Sequence, residues 1–202
     1  MIGLEIADIV GTIAFGLSGF LVATRDRLDL LGIFIASFLT ALGGGILRDT
    51  IAQRVPYVFS HHLPTILVIF VILFAIVFKL HKKDSLESKT YFVISDSIGL
   101  VSFSIAGAIV GLMVDFNIFG VVMLALATAV GGGIMRDTLL NRVPVVLTSE
   151  LYGTVAIMIG VCVFVLDRFE ALNNKSLVLL FGLSLIFRLF AFYKKWHLPK
   201  IN

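Results

Sequence analysis

Long apolar runs alternate with short polar links along the whole chain. The runs fall at about 2–24, 28–52, 62–80, 91–114, 117–140, 149–166 and 175–193. A membrane-spanning helix needs roughly 20 apolar residues, so the pattern predicts seven transmembrane helices. The main links are TRDRLD, RVPYVFSHH, KLHKKDSLESK, RVPVVLTSE and DRFEALNNK. None is long enough to fold alone. The expected fold class is therefore an all-α integral membrane protein made of a single membrane domain over 1–202.

The polar positions inside the runs repeat. At a constant offset of 88 residues, Asp8 matches Asp96, Gly11 matches Gly99, Phe15 matches Phe103 and Gly19 matches Gly107. Gly32 matches Gly120, and Thr40-Ala41 matches Thr128-Ala129. The blocks ALGGGILRDTIAQRVP (41–56) and AVGGGIMRDTLLNRVP (129–144) follow in the same register. About 20 of 53 aligned positions are identical, which marks an internal duplication. Repeat one covers about 1–82, repeat two about 89–170, and a seventh helix about 175–193. Three spans is an odd number, so the second copy must enter the membrane from the opposite side. The expectation is an inverted three-plus-three repeat, an architecture that places solute pathways at the repeat interface.

Composition strengthens this picture. The chain is 59% hydrophobic and 14% charged, with a mean hydropathy of +1.07. A soluble domain is about a quarter charged. The net charge of +3 matters less than its distribution. With the N-terminus outside, the cytoplasmic links hold Arg25, Arg27, Lys79, Lys82, Lys83, Lys89, Arg136, Arg142, Lys194, Lys195 and Lys200. The outer links hold Arg48, Arg54, Arg168 and Lys175. Eleven against four predicts an external N-terminus and a cytoplasmic C-terminus in the cell's inner (plasma) membrane. The inner excess suits contact with anionic lipid headgroups and points to no nucleic acid. The first run lacks a basic leader region and carries Glu5 and Asp8, so it reads as a retained span and not a signal peptide.

The candidate chemistry lies in the repeated block. Three successive glycines weaken a helix by about 1 kcal/mol each relative to alanine. Gly43, Gly44, Gly45, Gly131, Gly132 and Gly133 are expected to kink or break spans two and five, and Thr40 and Thr128 just before them to line a pathway. Close helix packing is the competing reading. Arg48-Asp49 and Arg136-Asp137 follow the glycines. Charges inside a bilayer cost at least ~2.5 kcal/mol and usually face the bundle interior or a wet cavity. Each arginine is expected to reach another helix, with Asp8–Arg48 and Asp96–Arg136 as the natural pairs. Asp49 and Asp137 would then be free to attract cations at the pore mouths. Arg188, near the cytoplasmic end of the last span, reads as a snorkelling anchor.

Other chemistries are not suggested. Cys162 is the one cysteine and sits in an apolar run, where it reads as a small core residue. His61 and His62 have no acid or cysteine at ligand spacing, so no metal and no cofactor is expected. There is no G-x-S-x-G, H-E-x-x-H or phosphate-binding loop. The chain reads as a conduit and not an enzyme.

The doubled GGG-x-x-R-D block, the seven spans and the three-plus-three-plus-one plan resemble the prokaryotic branch of the trimeric intracellular cation channel (TRIC) family. The resemblance runs over essentially the whole chain. It implies a homotrimer with a separate pore in each protomer, permeable to potassium, sodium and other monovalent cations. It also implies helices kinked at Gly43–Gly45 and Gly131–Gly133. Animal members carry a Lys-Glu-Val motif and lipid-binding basic residues near the second triplet. Here Ile134-Met135-Arg136-Asp137 stands in that place, so phosphoinositide control is not implied. The same prokaryotic domain is also labelled a glycine transporter, and a secondary transporter of a small solute is the alternative reading. A lipid-organising scaffold without flux is a third.

Overall fold

The computed structural model describes residues 2–80, 85–148 and 151–196, and the side chains at 85–88 are not described. Lys82, Lys83 and Lys200, which entered the charge count above, lie outside these residues. Among the described residues there is no strand. The helices in order are α1 (Ile2–Arg25), α2 (Leu30–Ile51), α3 (Tyr57–Ser60), α4 (Leu63–Val77), α5 (Ser85–Met113), α6 (Ile118–Leu139), α7 (Val145–Thr148), α8 (Tyr152–Arg168) and α9 (Asn174–Tyr193).

Five of these, α1, α2, α5, α6 and α9, are long and apolar enough to cross a membrane. The third and sixth expected spans are the shorter α4 and α8, with 15 and 17 residues. The RVP links are not plain turns. Each carries a one-turn helix, α3 after Pro56 and α7 after Pro144.

Local chemistry ends the helices in matching ways 88 residues apart. Asp29 caps α2 by accepting from Gly32 N at 2.7 Å, and Asn117 caps α6 by accepting from Gly120 N at 2.9 Å. The left-handed residues Arg27 and Asp115 stop α1 and α5, and Gln53 and Asn141 follow α2 and α6. Helix α9 opens with a capping box between Asn173 and Ser176.

Packing follows the small residues. Helix α1 lies chiefly against α5 and α2, and α6 against α2 and α5. Phe15 of α1 and Phe103 of α5, equivalent positions in the two repeats, meet with ring centroids 5.3 Å apart. Each ring fills the space left by the other copy's glycine, Phe103 over Gly11 and Phe15 over Gly99. Gly19 and Gly107 press in the same manner on Thr40 and Thr128. Small residues permit this close approach where lipid supplies no hydrophobic drive between helices. Helix α5 is almost wholly covered, whereas α9 is mostly bare and lies at the edge. Cys162 is exposed on α8 and is not in the core; the apolar run that surrounds it faces outward on that side.

Candidate functional site

The two glycine triplets meet where α2 crosses α6. A methyl on Gly44 would run into the Thr128 carbonyl, and one on Gly132 into the Thr40 carbonyl. Both helices run unbroken through the triplets, and no glycine has a positive φ. The break expected from three glycines is therefore absent. The glycines are held helical by the close contact that their missing side chains allow. Gly45 and Gly133 differ from the others. Nothing lies within 4 Å of a Cβ at Gly45, and only Arg136 Nη2, at 3.9 Å, at Gly133. Thr40 and Thr128 are fully buried, and each hydroxyl donates to its own helix at 2.6 Å, to Ala36 O and Leu124 O.

One charged cluster sits toward the start of α1. Arg48 Nη1 donates to Asp8 Oδ1 at 2.6 Å, and Arg48 Nε to Asp49 Oδ1 at 2.9 Å. The other oxygen of Asp49 accepts from Tyr57 N at 3.0 Å and so fixes the start of α3. Arg48 and Asp49 are buried, but the Asp8 side chain is 29% exposed. It opens into a cavity of about 440 Å³ between α1, α2, α3 and α4, which Gly45 also lines.

The second cluster lies at the other end of the bundle. Asp8 and Ser18 are ten residues apart on α1, about 15 Å along the axis. Arg136 Nε donates to Asp137 Oδ1 at 2.8 Å, and Asp137 Oδ2 accepts from Val145 N at 3.0 Å. This repeats the Arg48–Asp49–Tyr57 geometry and fixes α7. The third contact differs. Arg136 Nη1 donates to Ser18 Oγ at 3.2 Å, and Ser18 Oγ donates to Asp96 Oδ1 at 3.0 Å. Tyr152 of α8 is buried beside Asp96. Arg188 of α9 lies over the Tyr152 ring, 5.0 Å from its centroid. Asp96, Arg136, Asp137, Tyr152 and Arg188 are all at most 4% exposed.

Arg48 reaches Asp8, the acid expected for it. Arg136 reaches Asp96 through Ser18. Contrary to the sequence expectation, both arginines also bind the adjacent aspartate. The i,i+1 pair closes because Nε turns back while Nη1 reaches across. Asp49 and Asp137 are thereby used on both oxygens and buried. Arg188 is not a snorkelling anchor, since it is buried against Tyr152 and Phe192. Among the described residues no group of three or more His, Cys, Asp or Glu could hold a metal ion.

The sequence reading missed Ser18, Tyr152 and Arg188 as members of the second cluster. Ser18 and Tyr152 stand opposite Ala106 and Pro64 in the repeat, and Arg188 has no equivalent. Departures from the repeat were the available signal.

The family model described as glycine transporter matches residues 5–81 and again 93–168, with starts 88 residues apart. The UPF0126 membrane protein YvgT of Bacillus subtilis (strain 168) is 32% identical over 195 residues, 96% of this chain and 95% of its own length. A structure described as a prokaryotic TRIC channel in 0.5 M KCl is 30% identical, with a TM-score of 0.88 over 96% of this chain and 98% of its own. A second structure, solved for the basis of conductance through TRIC cation channels, is 32% identical, with a TM-score of 0.86 over 98% and 97%.

Proposed function

The chain belongs to the family that the glycine-transporter model describes and that holds the prokaryotic TRIC channels, and from that premise we propose that it is a potassium-permeable cation channel acting as a homotrimer with a pore in each protomer. It is a multi-pass membrane protein, with α4 and α8 completing seven spans beside the five longer helices. The two repeats are read as inverted about an axis in the membrane plane. Reciprocal contacts such as Gly44–Thr128 and Gly132–Thr40 support this, because a two-fold relation makes each contact occur twice.

The observation that carries the proposal is the placement of the polar groups. A cavity enters from one end and stops at Asp8–Arg48–Asp49, beside the open face of Gly45. The equivalent groups, Asp96, Arg136 and Asp137, lie at the other end past the glycine crossing. Buried charges of this kind mark ion pathways. The path runs along α2 and α6 past Gly43–Gly45 and Gly131–Gly133, with Thr40 and Thr128 behind it. The triplets let each helix bend without breaking, since residues lacking Cβ hold it weakly. Asp8 and Asp96 are the acids that meet the ion. Arg48, Asp49, Arg136 and Asp137 hold the two walls in place. Removing the buried Arg48 and Arg136 from the link counts leaves ten basic residues against three, which still favours an external N-terminus in the inner membrane. The cavity then opens outside, and Arg25, Arg27, Lys79, Lys194 and Lys195 face anionic lipid inside.

The test is current across a planar bilayer in a potassium chloride gradient. Discrete steps that reverse near the potassium potential are expected, reduced by Gly132→Leu. A second reading, secondary transport of a small solute such as glycine, is favoured by one feature. The outer cavity is open while its inner equivalent is sealed, a pose that alternating access also produces. Silence in the bilayer with saturable glycine uptake into liposomes would establish that reading instead.

A further inference from the structure

The outer cavity has more charge than the repeat accounts for. Its lining includes Glu5 and Asp8 from α1, Arg48 and Asp49 from α2, Arg54 from the link, and Tyr57, Ser60 and His61 around α3. Helix α4 adds Leu63, Pro64 and Leu67, and α5 adds Phe103 and Met113, all uncharged. Three carboxylates against two guanidiniums leave one negative charge while His61 is neutral. Within the repeat motif Asp8, Arg48 and Asp49 are bonded together, and the remaining charged residues of the lining, Glu5 and Arg54, are exposed. Position 93, the equivalent of Glu5, is a buried valine. The carboxylate is thus particular to this mouth.

His61 is built into the same wall. Its ring stacks on Tyr57 with centroids 3.8 Å apart and planes 12° apart. Its Nδ1 lies 2.9 Å from Ser60 Oγ and 3.3 Å from Tyr57 O. Imidazole is the side chain that ordinarily changes charge between pH 5 and 8.

We propose that Glu5 sets the charge preference of the external mouth by leaving it one carboxylate in excess, and that a proton taken up by His61 cancels that excess. The mouth gathers cations at neutral and higher pH and loses this ability as the outside acidifies. Acid on the cytoplasmic side has no such effect. The inference rests on the channel reading for its consequence in flux, but the local potential can be measured without flux.

The experiment uses Gly45→Cys, at a position where a side chain meets open space at the cavity wall, in a Cys162→Ala background. A cationic and a neutral methanethiosulfonate reagent of similar size are applied from outside, and the ratio of their rates is taken. The ratio cancels the ionisation of the thiol and reports the potential of the cavity. One unit charge lining the same water-filled cavity changes the ratio on the order of twofold. A fall of that size is expected between external pH 8 and pH 6. Glu5→Gln should give the same fall at pH 8, and His61→Gln should abolish the pH dependence. The proposal is overturned if His61→Gln keeps the pH dependence, if Glu5→Gln leaves the ratio unchanged, or if neither reagent reaches the introduced thiol. Absence of current in the bilayer, with these ratios as expected, would remove the channel reading and leave the charge assignment standing.

Discussion

Replacing Gly132 by alanine tests whether the triplets are packing surfaces. The added methyl would lie 2.9 Å from Leu39 O and 3.0 Å from the Thr40 carbonyl carbon, and closer still to the Thr40 oxygen. Ordinary contacts of a Cβ are 3.4–4 Å. The obstacle is backbone and cannot swing aside, so α2 and α6 must part by about 1 Å. Overpacking of this kind costs about 1–3 kcal/mol. Alanine's better helix propensity returns at most about 1 kcal/mol. Gly45→Ala meets nothing within 4 Å and should be neutral or stabilising by up to about 1 kcal/mol. Gly43 and Gly131 face Met135 Sδ at 2.7 Å and Leu47 Cδ1 at 2.6 Å. Those flexible ends can move, so alanine there should cost less than at Gly132. The double variant Gly44→Ala/Gly132→Ala should cost less than the sum, because one separation of the helices accommodates both methyls. Thermal unfolding of the purified protein in detergent measures all six variants, the single Gly44→Ala included. Equal damage from Gly45→Ala and Gly132→Ala would refute the packing account and restore a break in the helix as the reason for three glycines.

Asp137→Asn should prevent folding rather than alter selectivity. The amide retains one acceptor for two donors, Arg136 Nε and Val145 N, and leaves the buried Arg136 short of a counter-charge, at a cost of about 3–5 kcal/mol. Size-exclusion chromatography after extraction reads this, and a well-behaved variant with changed selectivity would contradict it. Ser18→Ala removes the hydroxyl between Asp96 and Arg136 and should cost about 1–3 kcal/mol in thermal unfolding; no loss would mean that the two charges close directly. Asp29→Ala and Asn117→Ala should each cost about 1 kcal/mol, equal within a few tenths because both close the same cap. A difference above about 1 kcal/mol would show that the two caps are not equivalent.

The helices were legible because hydrocarbon imposes its own period. A run of about 20 apolar residues has one stable form in a bilayer, and links with Arg, Asp and Pro mark its ends. The span read at 62–80 runs past the end of α4, and the one read at 149–166 starts before α8 and stops two residues short of its end at Arg168, because Phe78 and Leu151 are apolar but already outside the helix. The Asp8–Arg48 pair was legible because a charge at that depth requires a partner. The i,i+1 pairs were not, because helical geometry separates adjacent side chains by about 100°, and only the length of the arginine arm lets Nε turn back. The role of the glycine triplets was read from one helix at a time. Their packing depends on α2 and α6 meeting at equivalent positions, which propensity does not reveal.

The duplication itself locates the differences that matter. Where both copies keep a residue, the structure uses it twice in the same way. Arg48 with Asp49 and Arg136 with Asp137 anchor α3 and α7, and Phe15 and Phe103 fill each other's glycines. These pairs build the frame, and a symmetrical frame alone would be open or closed equally at both ends. The ends differ only where the copies have diverged. Ser18 replaces the role that a direct bond plays for Asp8, and Tyr152 stands where repeat one has Pro64. Arg188 comes from α9, the helix without a counterpart. All three seal Asp96, while Asp8 has none of them and opens to the cavity with Glu5 and His61 at its rim. Direction in this molecule therefore resides in the unmatched residues. Exchanging the unmatched pair, Tyr152→Pro with Pro64→Tyr, should favour closure at the Asp8 end, read in the Gly45→Cys background as lost reactivity of the introduced thiol. Unchanged reactivity in a folded variant would place the asymmetry in the other unmatched residues, Ser18 and Arg188.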